Sequence, residues 1–292
     1  MEISDMTGIE AFTSITRLNL FNNELTSIDV SNNLNIKSLT LSLNSITALD
    51  VTKNTKLEEL YISDNNISYL DLSNNILLTQ LYAAENLLTE LDVSNNNMLR
   101  ALNLAGDMSN GGSNSSNRNR ITNIDLSNNN DLRYLNLTLV GIEGTIDISN
   151  LVNLIGLVIT GNPNLTSIDL SNNRELQWIS AGFNGRLNGL DLTNQSELAF
   201  LSLRAVGQSL SDLDVSNNNK LVIFDTTYWY DTSVSKCIKV SQYQIDNQIT
   251  NNSINGETTD FTVWFSERSG QTFSSIDWTK DENNSYQLSC SN

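Results

Sequence analysis

The chain has 292 residues, 39% of them apolar, with 33 acidic against 16 basic side chains, one proline, two cysteines and no histidine. A net charge of −17 and a pI near 4.2 exclude nucleic acid and anionic membrane as electrostatic partners, since both are polyanions. Lack of histidine removes every His-dependent triad or base, two cysteines cannot build a Cys₄ zinc site, and there is no apolar run of about 18 residues for a membrane span.

In chain order, Met1 to Ser14, with apolar Ile9 and Phe12, reads as an N-terminal cap. No basic and then apolar stretch follows Met1, so no signal peptide is expected in this chain. From Ile15 to Lys220 a string Leu-Asp-Val/Leu-Ser-Asn-Asn recurs, its aspartates being Asp29, Asp50, Asp71, Asp92, Asp125, Asp147, Asp169, Asp191 and Asp214. The intervals are 21, 21, 21, 33, 22, 22, 22 and 23 residues. One unit, Leu57 to Leu77, places apolar residues at Leu57, Leu60, Ile62, Ile67, Leu70 and Leu72. Leu60-Tyr61-Ile62 alternates as a very short strand, and such a strand buries its apolar side only when copies stack.

The pattern LxxLxLxxNxL resembles the leucine-rich repeat. Nine units match, and a tenth half-unit starts at Leu221. The second half of each unit mimics the first, as in the short-repeat variety of secreted Bacteroidetes-type proteins. The resemblance implies a curved, β-rich solenoid of about ten coils, with a parallel sheet on the concave face, short strands or turns on the convex face, and a cap at each end. At strand spacing, ten coils span roughly 48 Å.

The 45 asparagines fit this architecture. Asn23, Asn44, Asn65, Asn86, Asn162 and Asn184 fall where the chain leaves the first strand, and Asn33, Asn54, Asn75, Asn96, Asn129, Asn173 and Asn218 occupy a second such position. Buried amides there can satisfy backbone groups that a tight coil leaves unpaired. Asp107, Val140 and Val206 interrupt the first ladder, Leu151 and Gln195 the second. The long interval contains Met108 to Arg120, a Ser/Gly/Asn/Arg-rich stretch that reads as a surface loop inserted into the solenoid. The 15–220 array is therefore one core, followed by a 221–292 capping module. There, Lys236 to Val240 (KCIKV), the later Asp277-Trp278-Thr279-Lys280-Asp281 and Cys290 resemble the terminal unit of the same secreted proteins. That likeness implies a Cys237–Cys290 bridge, which would stabilise the end of the array by roughly 2–4 kcal/mol. Two buried free thiols are the alternative.

Register assigns outward side chains to columns. One column of the first strand reads Arg17, Ser38, Glu59, Gln80, Ala101, Tyr134, Gly156, Trp178, Phe200, Ile223, and the next reads Asn19, Thr40, Tyr61, Tyr82, Asn103, Asn136, Val158, Ser180, Ser202, Asp225. Tyr61, Tyr82, Tyr134, Trp178 and Phe200, with nearby Phe183, Tyr228 and Trp229, form a candidate binding face, because exposed aromatics are characteristic of interfaces. Covering the cap or the Ser241 to Ser275 spacer is the other reading of these rings.

In the second half of each unit the nine aspartates point outward, beside Ser31, Thr52, Ser73, Ser94, Ser127, Ser149, Ser171, Thr193 and Ser216. Carboxylates about 5 Å apart repel one another and need an offset. Hydrogen bonds from hydroxyls and turn amides are one source, and bridging Ca²⁺ is another, although one or two carboxylate oxygens per coil fall short of its six to eight ligands. No nucleophile motif or Gly-rich phosphate loop is present, so no enzyme is expected. The resemblance implies an extracellular or bacterial cell-surface adhesion module with a protein ligand. Carbohydrate binding through the aromatics, or a purely structural spacer, are the rival readings.

Overall fold

The computed structural model describes residues 3–106, 118–204, 212–225, 237–239 and 241. A 3₁₀ turn at Ile9–Ala11 is followed by β1 (Arg17–Asn19), β2 (Ser38–Thr40), β3 (Glu59–Tyr61), β4 (Gln80–Tyr82), β5 (Ala101–Asn103), β6 (Tyr134–Asn136), β7 (Glu143–Ile146), β8 (Gly156–Val158), β9 (Asn164–Ile168), β10 (Trp178–Ser180), β11 (Phe200–Ser202), β12 (Asp212–Asp214), β13 (Ile223–Asp225) and β14 (Cys237–Lys239). Ten strands form one parallel sheet in the order β1-β2-β3-β4-β5-β6-β8-β10-β11-β13, one per coil. The other four make two small parallel sheets, β7-β9 and β12-β14, in the second halves of the later, longer units. The earlier units carry turns there.

The register follows the repeat. Leu39, Leu60, Leu81, Leu102, Leu135 and Leu157 are successive cross-strand partners. The 33-residue interval causes no slip, because Leu102 still pairs with Leu135. These leucines, with Leu41, Ile62, Leu104 and Leu137 from the neighbouring inward positions, are fully buried in one continuous core. Each such burial contributes about 1.5–3 kcal/mol, which no single three-residue strand could retain without its neighbours. Between coils, Leu41 N–H donates to Tyr61 C=O (2.7 Å), Ile62 to Tyr82 (2.8 Å), Ala83 to Asn103 (2.8 Å) and Leu104 to Asn136 (2.9 Å).

Asparagine holds the bends. Asn65 Oδ1 accepts from Ile46 N–H (2.9 Å), while its Nδ2 donates to Leu41 C=O (3.0 Å) and Ile62 C=O (3.1 Å). Asn44, Asn86, Asn162 and Asn184 repeat the arrangement. One expectation needs correction. The first ladder does not lapse at the insertion, because Asn119 supplies the rung: it is fully buried, accepts from Leu88 N–H (3.0 Å) and donates to Ala83 C=O and Leu104 C=O (both 2.9 Å). Arg120 N–H in turn bonds Leu88 C=O (2.7 Å), so Asn119 and Arg120 belong to the coil and not to the inserted loop. Residues 107–117 lie outside the described residues.

The second ladder differs in kind. Asn54 Nδ2 donates to Val30 C=O and Asn33 C=O (both 3.1 Å), and Asn75 to Val51 C=O and Asn54 C=O (both 3.0 Å). The Oδ1 atoms of Asn33, Asn54, Asn75, Asn96, Asn129 and Asn173 accept nothing, so these amides act as donors only. Gln195 is no gap, since its Nε2 reaches Leu170 C=O (2.7 Å) and Asn173 C=O (3.4 Å). At Leu151 the neighbouring Asn150 donates to Leu126 C=O instead (2.9 Å). A third, exposed series also appears: Asn74 donates to Thr52 C=O, Asn128 to Ser94, Asn172 to Ser149 and Asn194 to Ser171. At the N-terminal end, Asn33 Nδ2 binds Ile9 C=O (2.9 Å) and Phe12 C=O (3.0 Å), tying the 3₁₀ turn to the first coils.

Candidate functional site

Two faces carry the candidate chemistry. On the concave sheet, direct strand pairing sets the outward column Tyr61↔Tyr82 and the series Tyr134↔Gly156↔Trp178↔Phe200. The rings of Tyr61 and Tyr82 lie 5.1 Å apart at 36°, and Tyr61 O–H donates to Gln80 Oε1 (2.7 Å). Burial, with the nearby Glu59 charge second, pushes the Tyr61 hydroxyl up to about 12. Tyr61, Tyr82, Tyr134 and Phe200 are half-buried, and Phe183 is 43% exposed.

Trp178 is a correction to the expected exposed cluster, for it is only 3% exposed. Its indole folds back over Gly156 and stacks against Tyr134, with centroids 6.1 Å apart at 28°. A Cβ built on Gly156 would sit 1.9 Å from the indole, so the glycine vacates the seat that the ring fills. Outward direction and exposure therefore part company on this face. Ser38, Ala101, Val158, Ser180 and Ser202 also point outward yet are buried between larger neighbours. Tyr228, Trp229 and Cys290 lie outside the described residues, and Cys237 is described only through the backbone of β14, so the bridge falls outside them too.

Phe183 has a positive φ of 57°, a conformation that costs a bulky residue roughly 1–2 kcal/mol. Its position just past the inner strand residue of its coil is shared by Leu43 (58°), Asp64 (58°), Glu85 (51°) and Leu139 (56°). The bend demands the left-handed turn at this point, whatever side chain occupies it.

On the other face, all nine aspartates build the same turn. Each Oδ1 accepts the N–H two residues on, from Ser31 (2.8 Å), Thr52 (2.9 Å), Ser73 (2.9 Å), Ser94 (2.8 Å), Ser127 (2.9 Å), Ser149 (3.0 Å), Ser171 (2.9 Å), Thr193 (2.9 Å) and Ser216 (2.9 Å). Thr52 and Ser149 add hydroxyl bonds of 2.6 and 2.7 Å. For Asp50, Asp71, Asp92 and Asp147 the hydroxyl and then the amide hold the carboxyl below its usual pKa. For Asp29, Asp125 and Asp169 the amide leads. Repulsion from Asp50 and Asp92 on Asp71 is smaller than either bond, which identifies the offset that the column requires. A shallow groove of about 500 Å³ opens along this face among Tyr69, Glu90, Asp71, Asp92 and Asp125. Among the described residues no three His, Cys, Asp or Glu side chains group together as a candidate metal site.

A pH dependence follows. The carboxyls of Asp29, Asp50, Asp71, Asp92, Asp125, Asp147 and Asp169 titrate lower in the folded chain than the value near 3.9 of an unfolded aspartate, so below about pH 5 the unfolded chain binds more protons. Their contribution is fully present above the unfolded pKa and is lost as pH falls through the folded values. Melting temperature is expected to drop between pH 4 and pH 2, and more shallowly in Asp50→Asn/Asp71→Asn/Asp147→Asn. An unchanged slope in that variant would assign acid unfolding to other groups.

No family model matches the sequence, and no curated protein matches it. Solved structures do. A leucine-rich repeat protein of Leptospira interrogans matches at 19% identity over 84% of this chain and 60% of its own, with a TM-score of 0.59. An internalin, InlF of Listeria monocytogenes, matches at 21% identity over 83% of this chain and 74% of its own, with a TM-score of 0.54.

The protein has the leucine-rich repeat solenoid fold.

The functional domain of InlJ from Listeria monocytogenes, which includes a cysteine ladder, is 30% identical over 78% of this chain and 61% of that one, at a TM-score of 0.37. This leucine-rich repeat chain thus spans 61% and 60% of the InlJ and Leptospira structures. No helix among the described residues is long and apolar enough to cross a membrane.

Proposed function

We propose that this solenoid is a non-catalytic recognition module, secreted or held at a bacterial surface, that binds a protein partner through its concave sheet. The observation that carries the reading is the pairing of rings at outward positions, Tyr61 with Tyr82 and Tyr134 with Trp178, in a fold whose other outward residues are mostly small or polar. Rings held by their neighbours lose little side-chain entropy when a partner covers them, and aromatic residues dominate interface energetics. Trp178 acts here as the support that holds Tyr134, whereas Tyr61, Tyr82, Tyr134, Phe183 and Phe200 offer the contact area.

Capture from extracts of neighbouring or host cells, with the intact chain immobilised, tests the reading. Tyr61→Ala/Tyr82→Ala/Tyr134→Ala is expected to weaken the captured protein's affinity at least tenfold, about 1.4 kcal/mol. Asp71→Asn/Asp92→Asn/Asp125→Asn, on the opposite face, is expected to retain it, with and without Ca²⁺. Equal capture by the aromatic variant would remove the concave face from the interaction. Binding to a glycan array with no protein captured would reassign the rings to polysaccharide.

A further inference from the structure

The aromatic face is flanked by a charge arrangement that neither ladder nor turn explains. Arg100 and Arg133 immediately precede β5 and β6 and occupy the same position on adjacent coils. Arg133 N–H donates to Arg100 C=O (2.9 Å), as does Tyr134 N–H (3.1 Å), so the two backbones are one strand spacing apart, about 4.8 Å. Both side chains are exposed. Neither guanidinium has a hydrogen bond or ion pair among the described residues. The column to which they belong shows the alternative. Three coils before Arg100, Lys37 pairs across coils with Glu58 at 2.6 Å, and two positions before this column in the sequence Lys220 pairs with Glu197. Two arginines side by side on paired coils, with no acid between them, concentrate positive charge in a chain with 33 acidic and 16 basic residues.

Further along the same two strands the polar groups have the same sense. Asn103 Oδ1 accepts from Ala105 N–H (3.1 Å), and Asn136 Oδ1 accepts from Thr138 N–H (3.0 Å) and its hydroxyl (2.8 Å). Both oxygens are thus occupied by the protein, and the two Nδ2 groups find no acceptor among the described residues. The patch is rich in donors: two guanidiniums, then two amides, beside the half-buried Tyr134 ring and the low Ala101. A surface of this kind is complementary to a ligand made of acceptors. Guanidinium forks match carboxylates, and carboxamide N–H groups match peptide carbonyls.

We propose that the β5–β6 segment of the concave face recognises a carboxylate-bearing stretch of extended polypeptide, with Arg100 and Arg133 taking the acidic side chain and Asn103 and Asn136 the backbone carbonyls. This rests on the concave face being the binding face and specifies the chemistry of what it binds. Peptide is favoured over an acidic glycan because the amide donors lie along the strand direction beside tyrosine rings. An acidic partner also meets the repulsion of a −17 chain, so its affinity must arise locally at this pair.

The probes are an alternating Glu-Tyr peptide, its Gln-Tyr counterpart and a sulfated heparin oligosaccharide, titrated into the intact chain while the arginine Nε–H resonances are followed by NMR. The Glu-Tyr peptide is expected to bind about tenfold more tightly than the Gln-Tyr peptide and to shift the Arg100 and Arg133 signals. Arg100→Gln/Arg133→Gln is expected to erase that difference while leaving the melting temperature intact. Equal affinity of the two peptides in the wild type overturns the proposal but leaves the concave face as a binding face. Survival of the preference in the double variant overturns it as well, as does tighter binding of the oligosaccharide. Failure of both peptides also overturns it, and the concave reading then stands or falls on the capture experiment alone.

Discussion

Replacing Asn119 by alanine is expected to lower the unfolding free energy by about 3–4 kcal/mol, despite its place at the end of a Ser/Gly/Asn-rich run. The side chain is fully buried and makes three bonds to backbone of two coils. Its removal orphans Leu88 N–H, a buried donor whose desolvation is unrecovered, and takes one donor each from Ala83 C=O and Leu104 C=O. Each such loss costs about 1–3 kcal/mol when no water replaces it. Asn75→Ala removes donors from two carbonyls but orphans no N–H, because its Oδ1 accepts nothing. The expected cost there is about 1–2 kcal/mol. Exposed Asn95→Ala serves as the control, within about 0.5 kcal/mol of wild type. Urea unfolding of the three variants measures the order. An Asn119 variant indistinguishable from the Asn95 control would show that the ladder is interrupted at the insertion after all.

The second large effect is the coupling of Gly156 with Trp178. Gly156→Ala places a methyl group 1.9 Å from the indole, which must leave its seat, and overpacking of this kind costs about 1–3 kcal/mol. Trp178→Ala is expected to cost about 3 kcal/mol by uncovering apolar surface and releasing Tyr134. In the Trp178→Ala background the three atoms nearest that methyl group are gone, so the double variant is expected to be no less stable than Trp178→Ala alone. The cycle should thus return a coupling of about 1–3 kcal/mol. Additive costs would mean that the ring does not rest on the glycine.

The consequence for binding is specific. Trp178 is expected to influence a partner through Tyr134, which it supports, and not by direct contact. Small outward residues on this sheet set which aromatic side chains stand up and which lie down, so a glycine contributes as much to the shape of the face as the ring beside it.

Much of this protein was legible in its residues alone. Leucine spacing, the aspartate intervals and both asparagine series predict the coil, the inward and outward columns and the ten-strand sheet, because each coil repeats the same local problem and solves it with the same residue types. Even Asn119 carried a signal, in that Asn23, Asn44, Asn65 and Asn86 each precede their aspartate by six residues, and Asn119 precedes Asp125 by six. The aspartate column resolved into turns for a similar reason, since its hydrogen bonds reach only two residues along the chain.

What only the tertiary structure decided lies between coils. Strand alternation gives Trp178 its outward direction, whereas its burial depends on Gly156 and Tyr134, which are 22 and 44 residues away and one and two coils distant. The adjacency of Arg100 and Arg133 spans the 33-residue interval and exists because the sheet register holds across the insertion. Periodic sequence specifies a coil. The neighbour each side chain meets, and hence which groups are covered, paired or left for a partner, is set by stacking.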